Sequence, residues 1–172
     1  MKFPSLLTVF ACLILFGFGE LGGAILGGSP EKIKSYATER AKNFPDVHGF
    51  VGIEDIDRTI MEKVSSMVLA RLHTFHLHSH GVGILSFLLF LIVANSGFSN
   101  KLGIVINILI GIGMLYPFGW ISMMFTIPAM GSEAALNVAE KFFFMPFGGS
   151  LIIAIWILIF LYGIKVVRHF GK

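Results

Sequence analysis

Four of the six histidines lie close together, at positions 73, 76, 78 and 80. In an α-helix, spacings of three, four and seven residues return to the same face. His73, His76 and His80 therefore share one helix face, whereas His78 points away from it. Neutral imidazole nitrogens bind transition metals and haem iron, so the shared face predicts a metal or haem site.

One carboxylate is a second unusual feature, because Glu20 lies within a long apolar stretch near the N-terminus. An acidic side chain inside a membrane costs a few kcal/mol and is therefore protonated, paired or metal-bound. Counting about 1.5 Å per residue from the outer end of each span places Glu20 at the depth of His76 and His80. The same count brings Trp120, Met123 and Met124 near that level. We expect His76, His80 and Glu20 to bind metal, and the full cofactor-binding set to be His73, His76, His80, Met123 and Met124.

The predicted cofactor is haem b or a transition metal, copper or iron rather than zinc. A haem bound by two histidines is difficult within this chain, because no other span has a histidine at this depth. Its second ligand would be Met123, Met124, a residue of a partner chain, or none. Copper competes with haem because thioether and imidazole groups both suit it.

The composition excludes a soluble domain, since 55% of the 172 residues are hydrophobic and only 13% are charged. An ordinary soluble domain has about a quarter of its residues charged. The net charge of +3 is not gathered on a polar face. We interpret it as a signal of membrane topology, and we expect no nucleic-acid partner. The single cysteine excludes an internal disulfide framework.

The apolar segments predict an all-α fold, a single domain over residues 1–172 with four membrane-spanning helices in a bundle. A span needs about 20 apolar residues. The run Gly81–Ala94 is only 14 residues long, so the second span must begin earlier and draws the histidines below the membrane surface. Pro117 is expected to kink the third span, because it removes the helical donor of the Gly113 carbonyl. The predicted spans cover residues 4–28, 73–95, 102–125 and 148–167.

Residues 29–72 are predicted to form an outer amphipathic segment between the first two spans. Ser29, Pro30 and Glu31 are typical of a helix start, and this helix should end near Asn43. Apolar residues then recur every three or four positions from Ile53 to Val68, which predicts an amphipathic helix that continues into the second span. Gly19, Gly23 and Gly27 form small-xxx-small patterns that let another helix approach closely. Such an approach would bring Glu20 to the histidines.

The short basic flanks predict the orientation. Lys2, Lys101 and the tail residues 165, 168 and 172 fall on one side of a four-span arrangement. The positive-inside rule then places both termini in the cytoplasm. We expect the protein to lie in the plasma (inner) membrane.

Together these features predict a small membrane subunit that holds a redox centre for electron transfer in a larger complex. Two alternatives are a non-catalytic structural or assembly subunit, and a proton- or ion-handling transporter component that uses Glu20 and the histidines. The chain lacks a Walker loop and a dinucleotide-binding glycine fingerprint. It is therefore expected to be a cofactor-binding or accessory subunit rather than an independent enzyme. Its expected partners are the lipid bilayer and either other membrane subunits or copies of itself.

Overall fold

The protein is helical over almost all of residues 2–170, which are the residues that the computed structural model describes, and this part of the chain has no strand. The prediction of an all-α fold is confirmed. The helices are α1 (Leu6–Gly28), α2 (Pro30–Lys42), α3 (Pro45–His48), α4 (Glu54–Asn95), α5 (Asn100–Gly113), α6 (Phe118–Ala139), a π-helical segment (Glu140–Gly148) and α7 (Gly149–Phe170).

Three helical stretches within residues 2–170 are long and apolar enough to cross a membrane. They are Leu6–Gly28, Glu54–Asn95 and the stretch Asn100–Phe170. Length and composition therefore support membrane association, as the sequence predicted.

The last part of the predicted amphipathic segment, from Glu54, forms one continuous helix of 42 residues, α4, with the second predicted span. Glu54, Asp55 and Asp57 lie in its first turn, where negative charge stabilises the N-terminus of a helix. The Asp57 carboxylate also accepts hydrogen bonds from the backbone N–H groups of Val51 at 2.9 Å and Gly52 at 3.0 Å. The prediction that the amphipathic helix continues into the second span is confirmed, and so is the short helix α2 that begins at Pro30.

The predicted interruption at Pro117 is present, because α5 ends at Gly113 and α6 begins at Phe118. The Gly113 carbonyl, which loses its helical donor to the proline, accepts from the Tyr116 N–H at 3.1 Å instead. This tighter turn satisfies the carbonyl and redirects the chain.

The chain reverses direction inside α6, at Gly131, whose φ of 79° and ψ of 168° are non-helical. After this point it runs antiparallel to the preceding helix, because Gly119 contacts Phe144 and Gly113 contacts Leu151. The Nε2 atom of His48 in α3 donates to the Pro128 carbonyl at 2.9 Å and so ties α3 to the reversal. The sequence predicted a third span that ends at residue 125 and a fourth that begins at 148. In the structure the residues between these two positions are also helical, on both sides of Gly131.

Two hydrophobic cores lie one above the other along α4. The first core packs residues 64–75 of α4 against α2 and α6, and the second core packs residues 82–93 against α1, α5 and α7. His76, His78 and His80 fall between these two stretches of α4. The fold therefore places these three histidines between two apolar cores.

Candidate functional site

Three glycines of α1 bring that helix close to the histidine segment of α4. A Cβ atom built on Gly19 would lie 3.0 Å from the Ser79 Cβ, and one on Gly23 would lie 2.7 Å from the His76 Cε1. Gly22 similarly faces Phe75. The expected close approach at Gly19 and Gly23 is confirmed, whereas Gly27 has nothing within 4 Å of its Cβ position.

His76 is held by the backbone of α1. Its Nδ1 atom lies 2.7 Å from the Gly19 carbonyl oxygen. Because a carbonyl oxygen only accepts hydrogen bonds, Nδ1 carries a proton. In the neutral ring the free lone pair is then on Nε2, which is the arrangement found in many metal-binding histidines.

His80 joins the two helices through both of its ring nitrogens. Its Nδ1 donates to the His76 carbonyl at 2.9 Å, and its Nε2 lies 3.0 Å from the Glu20 Oε1. Since Nδ1 already carries a proton, the Nε2–Oε1 contact needs one further proton, on either the imidazole or the carboxyl group. The contact is thus an imidazolium with a carboxylate, or a neutral imidazole with a carboxylic acid.

The exposure of this pair is uneven. The His80 side chain is 23% exposed, whereas that of Glu20 is 75% exposed. The Glu20 carboxyl group therefore lies at the surface of the α1–α4 pair. Within residues 2–170 its one hydrogen bond is to His80. The predicted meeting of Glu20 with a histidine is present in the structure.

The remaining predicted residues lie elsewhere. His73 is exposed, on the same side of α4 as His76 but nearer its N-terminus. Met123 and Met124 are buried in the first core with Leu72 and Phe75. Within residues 2–170, no three His, Cys, Asp or Glu side chains are grouped closely enough to hold a metal ion.

His78 lies on the opposite side of α4 and belongs to an aromatic cluster. Its ring stacks on Trp120 with centroids 5.6 Å apart and meets Tyr116 edge-on at 5.4 Å. Phe144 of the π-helical segment lies 4.6 Å from Trp120. We name these four residues the His78 cluster. The sequence placed Trp120 near the level of the histidines, and the opposite direction of His78 was its one indication of a second side to the site.

Comparisons with known proteins add no family to this description. No protein-family model, curated protein or solved structure matches the chain.

Proposed function

We propose that the chain is a small integral membrane subunit that holds one proton at the Glu20–His80 pair and serves proton handling within a larger complex. The observation that supports this most directly is the 3.0 Å contact between His80 Nε2 and Glu20 Oε1. The His76 carbonyl fixes the other ring nitrogen of His80 as a donor. One proton can then move between the two groups without rotation of the ring.

The position of the pair favours this role. Exposed side chains along α4 are polar at Lys63, Ser66 and His73 but apolar from Leu77 to Ile92. We place the membrane boundary at this change, so that His80 and Glu20 lie below it. Inside a membrane, an acidic residue paired with a histidine avoids the cost of an isolated charge and marks proton pathways. The exposed side of Glu20 would then face a partner subunit of the complex.

The test is infrared spectroscopy of the purified protein in lipid nanodiscs, titrated with acid. We expect a carboxyl band that is absent in Glu20→Gln and that changes frequency in His80→Gln, because the hydrogen-bonded partner of the acid has changed. Glu133→Gln is the matched control, since Glu133 is an exposed acid of α6 beyond the reversal. An unchanged band in His80→Gln would show that the two groups do not share a proton.

A second function, a redox centre bound by histidine, is favoured by one observation. The Gly19 carbonyl holds His76 in the tautomer whose Nε2 atom is free to bind haem b, copper or iron. His80 and Glu20 are the nearest further ligands, and His73, Met123 and Met124 would need to move toward them. Bound haem or metal would supply electron transfer at this level of the bundle.

Elemental analysis of protein expressed with iron, copper and zinc tests this second function. We expect about one iron or copper atom per chain, and we expect His76→Ala to lose it. His169→Ala is the control, because His169 lies near the far end of α7. An unchanged metal content in His76→Ala would contradict this site. If the protein contains no metal and the infrared test also finds no shared proton between Glu20 and His80, the structural or assembly role is favoured.

We also propose that the chain crosses the membrane four times. The reversal at Gly131 divides the stretch Asn100–Phe170 into two antiparallel arms, and each arm is long enough to span. Lys2 binds Asn95 through its backbone, and Lys165 donates to the Ser96 carbonyl. These contacts gather both chain ends and the α4–α5 turn at one end of the bundle, the end that the basic residues assign to the cytoplasm.

A further inference from the structure

A polar cleft lies where the N-terminal segment meets the α4–α5 turn. Its volume is about 300 Å³, and its polar lining comes from Lys2, Ser99, Asn100 and Asn107. We name it the Lys2 cleft. Lys2 is fixed there, because its backbone nitrogen donates to the Asn95 Oδ1 at 2.7 Å and its carbonyl accepts from the Asn95 Nδ2 at 2.8 Å. These groups therefore face one common space.

Asn107 is the polar residue that lies deepest along α5. The helix begins at Asn100, and Asn107 lies about 10 Å further along it. Its neighbours Ile104, Val105 and Ile108 are at least half exposed, which indicates the lipid level of the bundle. The Asn107 Oδ1 is covered by the protein, whereas Nδ2 is not among the covered atoms without a partner. The amide nitrogen is thus the donor that Asn107 offers to the cleft.

The charges around the Lys2 cleft are positive. Lys2 lines it, Lys101 is exposed in the first turn of α5, and Lys165 lies 4.7 Å from the ring centroid of Phe98, another lining residue. Helices α5 and α7 and the second half of α4 contain no acid, and the one acid of α1, Glu20, lies at the level of the histidines. This distribution favours an anionic ligand.

The depth of the cleft indicates which anion fits. Exposed side chains at the start of α5 change from polar at Ser99 and Lys101 to apolar at Ile104. The cleft therefore opens at the headgroup level, where lysines attract anionic lipids. A phospholipid has its phosphate at this level and its ester oxygens nearer the hydrocarbon. We propose that the Lys2 cleft binds an anionic phospholipid, with the phosphate beside Lys2 and an ester oxygen accepting from Asn107.

Native mass spectrometry of the delipidated protein in detergent tests the proposal, because it counts bound lipids. Dioleoyl-phosphatidylglycerol should bind as one saturating copy at a lower concentration than dioleoyl-phosphatidylcholine, which has the same phosphate and esters but no net charge. Dioleoylglycerol, which lacks the phosphate, should give no saturating first copy. Bound phosphatidylglycerol should also raise the unfolding temperature of the wild type.

The variant Asn107→Leu separates a binding site from a general attraction of charges, because it leaves the charge unchanged. We expect it to weaken the binding of phosphatidylglycerol by about fivefold, in line with the loss of one hydrogen bond. Without lipid it should unfold at an equal or higher temperature, since it removes a buried oxygen that has no partner within residues 2–170. Asn137→Leu is the matched control, because Asn137 is an exposed residue of α6 beyond the reversal.

The variant Lys2→Gln tests the phosphate end of the cleft. We expect binding of phosphatidylglycerol to weaken by about fivefold, the effect of one lysine near an anionic headgroup. The preference over phosphatidylcholine should decrease with it. Lys63→Gln is the matched control, because Lys63 is an exposed lysine in the first half of α4, far along the chain from the cleft.

Four results would overturn the proposal. Unchanged affinity in Asn107→Leu would mean that the lysines attract anionic lipid without a defined site. Equal losses in Lys2→Gln and Lys63→Gln would point to the overall charge alone. Equal binding of dioleoylglycerol would show that only the acyl chains are held. Displacement of the lipid by inorganic phosphate at matching concentrations would identify a site for free anions instead.

Discussion

At the scale of single residues, the contact between Gly23 and His76 controls how the histidine is presented. Only a hydrogen atom fits between α1 and the imidazole ring, because a Cβ on Gly23 would lie 2.7 Å from Cε1 and 2.9 Å from Nδ1. The same ring position lets Nδ1 reach the Gly19 carbonyl. The tautomer of His76 thus depends on a glycine that has no chemistry of its own.

The variant Gly23→Ala should therefore displace the His76 ring and break its bond to Gly19. We expect a loss of about 1 kcal/mol in the free energy of unfolding, which is the net contribution of one hydrogen bond. Nitrogen NMR of the histidine rings should also show that Nδ1 of His76 is no longer held as the donor.

Gly27→Ala is the matched control for this change, because Gly27 lies one turn further along α1 with nothing within 4 Å of its Cβ position. It should keep the His76 spectrum and leave stability equal or slightly raised, since alanine favours a helix over glycine. If the two variants behave alike, the contact between Gly23 and His76 does not position the ring.

Part of this residue-scale arrangement was predictable from the sequence. Helical spacing placed His76 and His80 on one face, and counting residues along the spans placed Glu20 at their level. The ring tautomers could not be predicted, since they depend on which backbone carbonyl of α1 or α4 each nitrogen reaches. Counting along the helix also did not predict the burial of Met123 and Met124, because their environment is set by the packing of α2 on α4 and α6.

At the scale of elements, α5 and α7 pack at a point where a glycine is required. A Cβ on Gly113 would lie 2.6 Å from the Leu151 Cβ and 3.1 Å from its Cα. Backbone cannot move aside as the end of a flexible side chain can. The Ser150 hydroxyl also donates to the Leu109 carbonyl at 2.9 Å, which holds the two helices in register.

We expect Gly113→Ala to push α7 away from α5 and to cost about 1–3 kcal/mol of stability, as overpacking of a tight core does. Thermal unfolding in detergent measures the loss. Gly111→Ala, in the same helix but with nothing within 4 Å of its Cβ position, should leave the unfolding temperature equal or higher. A similar loss in both variants would mean that helix geometry, and not the contact with Leu151, determines the effect.

Element boundaries show where sequence reasoning is strong and where it is weak. The start at Pro30 and the break at Pro117 follow from the missing N–H and fixed φ of proline, which are local properties. The reversal at Gly131 depends on a backbone conformation that glycine permits but does not require. Two residues of α3, far away in the chain, contact this reversal. Val47 lies against Gly131, and His48 binds the Pro128 carbonyl. The sequence alone could not predict that this glycine would be the reversal point.

At the scale of the whole molecule, the antiparallel arms on either side of Gly131 make a prediction about topology. Cys12 is the only native cysteine, so Cys12→Ser gives a background for single-cysteine labelling in intact cells. In a four-span protein, Lys101→Cys and Lys165→Cys should label only after the membrane is permeabilised. Glu133→Cys, next to the reversal, should react with an impermeant maleimide in intact cells.

Labelling of positions 101 and 133 from the same side would contradict the four-span arrangement. Labelling of 101 and 165 from outside, with 133 protected, would keep four spans but invert the orientation. Immunoblots for inserted protein should accompany each variant, so that poor insertion is not counted as protection.

The sequence by itself determined that the protein is helical, that its helices are apolar enough to span a membrane, and that three histidines share one helix face. These properties follow from composition, length and the helical repeat, which act within one segment. Only the tertiary structure decided which helix meets that face, which proton each ring carries, and that Glu20 keeps an exposed side while it binds His80. It also brought Arg71 over Trp120. Each of these contacts joins segments far apart in the chain, and their geometry is set by how closely the helices pack.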